Sequence, residues 1–110
     1  MKRVSNLNPN QYGEKASVFS LQKGKLPPQA VDLEEVVLGA MMIDKKGVDE
    51  VIDILQPEAF YKESHQLIFN AIISLFEKQE PIDIKTVSFQ LKKDGNLNSV
   101  GGDYYLIELS

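Results

Sequence analysis

From residue 33 onward the apolar residues recur with the period of an α-helix, and this spacing limits the possible fold more than any other feature. The first stripe, at positions i, i+3, i+4, i+7 and i+8, consists of Leu33, Val36, Val37, Ala40 and Met41. Leu38 and Met42 widen that stripe, so we expect other elements to enclose this helix on more than one side. No alternation typical of a β-strand persists for six residues. The sequence therefore predicts an all-α fold of about five to six helices.

The second predicted helix carries Val48, Val51, Ile52 and Leu55, follows a turn at residues 44–47 and ends at Pro57. Residues 67–76 have apolar side chains on two faces, including Phe69 and Ile73, and this breadth predicts the central helix of the core. Between these two helices, Phe60 and Tyr61 are expected to form a short aromatic plug. A last helix is predicted from about Ser99 through Tyr105 to Leu109.

Several helix ends carry capping signals. Asp32 is a plausible N-cap of the first helix, with Glu35 as its capping-box partner. Asp83 is expected to cap a helix that has Ile82 and Val87 in the register of a hydrophobic staple. Gly95 follows this helix at a position suited to a left-handed C-cap.

The central part of the first helix carries Gly39 and Ala40, and a mid-helix glycine costs up to about 1 kcal/mol of helix propensity. Such a loss is offset where another helix approaches closely, so we expect a helix–helix contact at this point.

The charge is unevenly distributed along the 110 residues, whose net charge is −4. Residues 1–26 carry five basic side chains and one acidic side chain, and we interpret them as a flexible basic N-terminal arm. Residues 27–110 carry seven basic and fifteen acidic side chains, so this predicted helical domain is a poor binder of DNA. The absence of cysteine excludes disulfides, and no apolar run approaches the ~20 residues of a membrane span. We expect a cytoplasmic protein.

No pattern in the sequence points to catalysis. A phosphate-binding loop needs glycines followed by Gly-Lys-Ser/Thr, and neither the glycine at 24 nor the pair at 101–102 is followed by such residues. His65 is the only histidine, which favours a hydrogen-bonded packing role over a metal ligand or general base. The adjacent acidic pairs at 34–35 and 49–50 are interpreted as solvated helix faces. The sequence thus predicts no enzyme, no cofactor and no metal in this chain.

An ordered series of short motifs runs from residue 26 to the end. The motifs lie at 26–29 (LPPQ), 34–40 (EEVVLGA), 42–44 (MID), 57–61 (PEAFY), 65 (H), 68–69 (IF), 81–83 (PID) and 100–106 (VGGDYYL). Together they resemble the N-terminal domain of DnaB-type replicative helicases, with no obvious insertion. The departures are mild: Asp32-Leu33-Glu34 stands where the family usually has Glu-Ala-Glu, and the leader is longer than many.

This resemblance implies a non-catalytic protein-interaction domain, residues 27–110, in a hexameric ring helicase that acts at the replication fork, associated with the nucleoid. The N-terminal domains form a collar to which a DnaG-type primase docks, and a helicase loader is a further possible partner. A helical hairpin and a motor domain that uses ATP and Mg²⁺ are expected beyond Ser110.

In proteins of this type, the start of the first helix and the last helix face the primase, and the matching positions here are Asp32 and Tyr105. The alternative for Asp32 is a plain N-cap. The alternative for Tyr105 is packing on the core with its hydroxyl outward.

Two other interpretations of the whole domain remain open: a phage or plasmid helicase domain that binds a loader, and a stand-alone helical DNA-binding domain. For the second, a recognition helix would need exposed arginine or lysine side chains, and residues 27–110 contain no arginine.

Overall fold

The computed structural model describes residues 30–110, which form six α-helices and one short 3-10 helix. The α-helices are α1 (Val31–Ile43), α2 (Lys45–Val51), α3 (Glu63–Glu77), α4 (Ile84–Lys93), α5 (Leu97–Val100) and α6 (Gly102–Leu109). The 3-10 helix spans Pro57–Ala59. No strand occurs in this range, so the predicted all-α class is confirmed. The predicted N-terminal arm lies outside the described residues.

The central helix is α3, as predicted, because it packs against α4, α1, α5 and the 3-10 helix. Phe69 is fully buried on its second face, and the Phe69 ring lies 5.0 Å from that of Phe60. Helix α6 crosses back to contact α1 and α4. The core therefore sits between α3 and a layer formed by α1, α4 and α6. No helix in residues 30–110 is long and apolar enough to cross a membrane.

The buried face of α1 differs from the predicted stripe. Its buried residues are Glu34, Val37, Leu38, Gly39, Met41 and Met42. Val36, which the prediction placed inward, is 67% exposed. The observed stripe is the predicted one shifted by one residue, so Val36 leaves the inner face and the carboxylate of Glu34 enters it. The aromatic plug is also only half right, because Phe60 is buried whereas Tyr61 is 60% exposed.

The predicted caps are right at one helix and wrong at another. Asp83 caps α4 through a capping box in which its side chain accepts from the Thr86 amide and the Thr86 hydroxyl accepts from the Asp83 amide. Asp32 does not cap α1, because the helix already begins at Val31 and Ala30 occupies the N-cap without a side-chain bond. Asp32 instead lies exposed in the first turn, where a negative charge favours the helix dipole.

Two predicted boundaries move for local reasons. Asp44 accepts from the Lys46 amide at 3.0 Å, so residues 45–47 begin α2 and do not form a turn. The predicted last helix is divided into α5 and α6 because Gly101, with φ 108°, adopts the left-handed conformation. A Cβ at Gly101 would also lie 2.9 Å from the Cβ of Tyr105. Gly95, with φ 79°, occupies the left-handed position predicted for it.

Gly39 provides the close helix approach that the sequence predicted. A Cβ atom built at this position would lie 2.1 Å from the carbonyl oxygen of Leu109, at the end of α6. This distance is far below van der Waals contact, and the opposing atom belongs to the main chain. The backbone of α1 at Gly39 therefore packs directly against the backbone of α6 at Leu109, with no side chain between them.

We predict that Gly39→Ala destabilises the protein by about 1–3 kcal/mol, because the added methyl must displace α6. Helix propensity alone would predict the opposite effect on the free energy of unfolding, because it favours alanine over glycine by about 1 kcal/mol. The neighbouring change Ala40→Gly is the matched control and should cost no more than that propensity difference. Chemical denaturation of the three proteins checks the prediction, and a Gly39→Ala variant more stable than the parent would contradict it.

Candidate functional site

A fully buried carboxylate on α1 organises the site. Glu34 has no exposed surface. Its Oε2 accepts a hydrogen bond from the Tyr61 amide at 2.6 Å, and its Oε1 accepts a longer one from the Lys62 amide at 3.4 Å. These two amides immediately precede α3, so the charge also faces the positive end of that helix dipole. Glu34 thus fixes the two residues that lead into α3, whose N-cap residue Lys62 makes no side-chain cap bond.

The lone histidine joins this carboxylate to α6. His65 is also fully buried, and its Nδ1 lies 2.7 Å from Glu34 Oε1 while its Nε2 lies 2.6 Å from the Tyr105 hydroxyl. A carboxylate only accepts, so Nδ1 is the donor in that bond. In the neutral imidazole, Nε2 then accepts from the Tyr105 hydroxyl. The imidazole and phenol rings are stacked, with centroids 5.9 Å apart. One chain of hydrogen bonds therefore connects α1, α3 and α6.

Tyr105 is half-buried, and its hydroxyl is held on several sides. The Lys62 Nζ lies 3.4 Å from the hydroxyl and 4.9 Å from the ring centroid. Glu35 Oε2 lies 3.4 Å from the same hydroxyl. Burial, reinforced by the Glu35 carboxylate, raises the pKa of Tyr105 to about 12. The phenol consequently keeps its proton and remains a hydrogen-bond donor.

The structure confirms one of the sequence interpretations of these residues and corrects two. His65 is a buried, hydrogen-bonded packing histidine, as predicted. Glu34, interpreted as part of a solvated acidic pair, is instead fully buried, whereas Asp49 and Glu50 are exposed as expected. Tyr105 directs its hydroxyl inward to His65, not outward.

A sequence signal for Glu34 existed. Glu34, Val37, Leu38, Met41 and Met42 are all buried and lie at i, i+3, i+4, i+7 and i+8. A carboxylate in phase with an apolar stripe needs a buried partner, and the single histidine of the chain was available for that role.

Above this network lies an acidic groove between α1 and α6. Its lining residues are Asp32, Glu35, Val36, Tyr105, Glu108 and Leu109. The two positions assigned to partner binding, Asp32 and Tyr105, are therefore brought to the same groove. Three carboxylates and the exposed Val36 give this groove the chemistry to receive basic and apolar side chains.

The network itself has no chemistry to offer a substrate, because His65 is inaccessible and both of its ring nitrogens are engaged. Within residues 30–110, no group of three or more histidine, aspartate or glutamate side chains is arranged to hold a metal ion.

Comparison with known families decides the affiliation, since residues 26–110 match the sequence model of the family described as "DnaB-like helicase N terminal domain". The chain belongs to this family. As a DnaB-like N-terminal domain, it is 47% identical over 89 residues to the replicative DNA helicase DnaB of Rhodothermus marinus. It is 38% identical over 86 residues to the replicative DNA helicase DnaB of Geobacillus stearothermophilus. These matches cover 81% and 78% of this chain but only 10% and 19% of the relatives.

A solved structure agrees with the family assignment. The DnaB-like domain is similar to the crystal structure of the N-terminal domain of DnaB helicase from Mycobacterium tuberculosis, with 38% identity and a TM-score of 0.73. The match covers 76% of this chain and 59% of that one. The interpretation of the chain as a non-catalytic N-terminal domain of a replicative helicase is thereby confirmed.

We predict that Glu34→Ala destabilises the domain by about 3–5 kcal/mol, because it leaves the His65 ring and two amides without a buried partner. The exposed Glu50, on α2, provides the matched control, and Glu50→Ala should change stability by less than about 0.5 kcal/mol. Denaturant titrations of both variants give the two values. Equal free energies of unfolding for Glu34→Ala and Glu50→Ala would show that Glu34 is not essential to the fold.

We predict that Tyr105 ionises near pH 12, above the ordinary value of 10.0. The difference in phenolate absorbance between the parent and Tyr105→Phe isolates this titration. Since the folded pKa is the higher one, the folded state holds the proton more tightly. The resulting stabilisation is complete below about pH 10 and is lost as the pH rises towards 12. The free energy of unfolding should therefore fall over this range in the parent and fall less in Tyr105→Phe. A Tyr105 midpoint near 10 would contradict the role given to burial and Glu35.

Proposed function

We propose that this domain is a docking and ring-assembly module of a hexameric replicative DNA helicase, and that the acidic groove between α1 and α6 binds a DnaG-type primase. The observation that carries the proposal is the convergence of Asp32 and Tyr105 on one groove. The family supplies the helicase context, and the groove supplies the contact surface. Other subunits of the ring and a helicase loader are further proposed partners of the domain.

Pre-organisation supports a binding role for this groove. The hydrogen bond to His65 and the ring stacking fix the orientation of Tyr105 before any partner arrives. A fixed aromatic side chain loses little conformational entropy on binding, which is one reason why tyrosine is enriched among residues that dominate binding energy. The side chains of Asp32 and Val36 lie exposed on the adjoining helix. The groove therefore combines a rigid anchor with an exposed charge and an exposed apolar group.

The charge of the groove indicates the chemistry of its partner. Asp32, Glu35 and Glu108 contribute three carboxylates to the lining, against which the nearest described ammonium group is that of Lys62, bonded to the Tyr105 hydroxyl beside the groove. A primase surface that carries basic side chains around an apolar one would complement it. The same charge opposes binding of DNA at this groove.

The ATP-dependent motor is proposed to lie outside this chain. The chain spans about a tenth to a fifth of the length of the curated relatives, which are named replicative DNA helicases. ATP and Mg²⁺ would bind in that separate motor domain, and the present domain would act through protein contacts alone.

We predict that the helical C-terminal domain of the cognate primase binds residues 1–110, and that Asp32→Lys weakens this binding at least about tenfold, equivalent to ~1.4 kcal/mol. Tyr105→Ala should cost about 2 kcal/mol of binding. It should also lower the melting temperature, because it removes the hydroxyl bonded to His65. Glu50→Lys makes the same charge change as Asp32→Lys on the exposed surface of α2 and should bind like the parent.

Calorimetric titration of each variant, repeated with the full-length helicase, measures the affinities. Asp32→Lys is the decisive variant, because its side chain makes no cap bond and its substitution leaves the core intact. Identical affinities for Asp32→Lys, Glu50→Lys and the parent would place the primase site elsewhere. Failure of the full-length protein to bind primase would refute the proposed function.

A further inference from the structure

Basic side chains are concentrated at a second surface, away from the acidic groove. Residues 27–110 contain seven lysines and no arginine. Four of these lysines, Lys78, Lys85, Lys92 and Lys93, lie at the end of α3 and along α4. On α4, Lys85, Phe89, Lys92 and Lys93 follow one another at i, i+4, i+7 and i+8, so they share one face of the helix. We call these four residues and Lys78 the lysine–phenylalanine face.

At the centre of this face, Phe89 is 77% exposed, more than any other large apolar side chain in residues 30–110. It contributes to a groove between the end of α3 and α4, which is also lined by Leu75 and Thr86, with Lys78, Lys92 and Lys93 beside them. An exposed phenylalanine lacks the favourable free energy of moving its apolar surface out of water. A partner that covers Phe89 would gain this free energy on binding.

Packing in the core does not explain the positions of Phe89 and the lysines on α4. Helix α4 packs into the core through Val87 and Leu91, on the opposite side from Phe89, while the buried Gln90 borders the groove. Lys92 and Lys93 lie in its last turn, where a positive charge favours the helix dipole. Lys78 is the C-cap residue of α3, where a positive charge is again favourable, whereas Lys85 is in the first turn of α4, where the dipole disfavours it. The helix dipoles therefore account for three of the four lysines and leave Lys85 without such an explanation.

Lys78 is held in position by a buried side chain. Its Nζ donates to Gln90 Oε1 at 3.0 Å, and Gln90 is only 7% exposed. Gln90 Nε2 in turn donates to Asp94 Oδ1 at 3.0 Å. This relay fixes one ammonium group at the edge of the groove that contains Phe89. The face thus combines a positioned charge with an apolar side chain.

We propose that the lysine–phenylalanine face binds an acidic segment of a partner protein, which inserts an apolar side chain beside Phe89 and places carboxylates against the lysines. Charge complementarity selects this occupant, since the rest of the domain is strongly acidic and repels such a segment. The apolar lining from Leu75 and Phe89 matches an inserted aliphatic or aromatic side chain.

The same observations disfavour nucleic acid. A strand-binding surface needs several aromatic platforms and a positive track for the phosphates. Here Phe89 is the single aromatic residue in the groove, and Glu80 lies in its lining. Asp94 is bonded to Gln90 at the end of α4, so a second carboxylate adjoins the lysines. A peptide can avoid these carboxylates, whereas a continuous row of phosphates cannot.

The proposal is independent of primase docking, because the two surfaces have opposite charge and share no residue. A basic partner at the groove of α1 and α6 and an acidic partner at α4 are distinguishable with single substitutions. Loss of primase binding in Asp32→Lys would leave the α4 surface unaffected, and the reverse also holds.

A synthetic helical peptide of about 16 residues, with glutamates flanking a stripe of leucine and one phenylalanine, is the probe. Its fluorescence anisotropy is measured with residues 1–110 at low salt. We expect saturable binding that weakens at least tenfold in Phe89→Ser and in the double variant Lys92→Gln/Lys93→Gln. Lys45→Gln/Lys46→Gln makes the same change at exposed positions of α2, and Ile107→Ser likewise replaces an exposed apolar side chain of α6 by serine. Both controls should bind like the parent. Circular dichroism verifies that each variant is folded.

Four outcomes would overturn the proposal. The first is no saturable binding of the acidic peptide by the parent. The second is equal affinity for a peptide whose apolar stripe is replaced by serine, which would leave only non-specific attraction. The third is tighter binding of a 16-nucleotide oligothymidylate that depends on Phe89, which would assign the face to nucleic acid. The fourth is a self-association in sedimentation that Phe89→Ser abolishes, which would assign the face to a second copy of the chain.

Discussion

The buried carboxylate of Glu34 is the constraint around which the described part of the chain is arranged. It lies where an apolar residue would ordinarily complete the inner face of α1, and no lysine or arginine side chain of residues 30–110 forms an ion pair with it. Its acceptor sites are instead occupied by two amides that precede α3 and by the ring of His65. Each of these donors fixes a different degree of freedom: the entry of the chain into α3, and the orientation of the imidazole. The position of α1 relative to α3 is consequently set by directional bonds as well as by packing.

This arrangement explains how a small helical domain presents a rigid surface. The imidazole transmits the constraint to Tyr105 on α6, and that residue contributes to the acidic groove. A buried network thus lies directly beneath a surface suited to a partner, so that binding meets side chains already ordered. Polar groups of this kind contribute little net stability compared with an apolar core, but they define one arrangement of the helices among several that packing alone would permit. The geometry of the groove therefore depends on this network.

Much of the fold was predictable because helical periodicity, caps and prolines act locally. The all-α class, the central role of α3, the capping box at Asp83 and the close approach at Gly39 all follow from residues within one or two turns. Some helix boundaries were missed for local reasons, but the errors that affect the site arose where a distant partner decides the outcome. The inner face of α1 includes Glu34 because His65, 31 residues away, provides its partner. For the same reason, Tyr105 turns its hydroxyl inward. The groove that joins Asp32 to Tyr105 depends on the crossing of α1 and α6, which periodicity does not specify.

Gly101 is exposed, yet its backbone conformation bears on the buried network. Its left-handed conformation ends α5 and sets the direction in which α6 departs. Tyr105 lies one helical turn later, and its hydroxyl is the outermost member of the buried network. A change in the backbone angles at residue 101 would therefore alter the direction of α6 and the position of the hydroxyl relative to His65. A substitution at this exposed turn would thus reach the buried network through the backbone of α6.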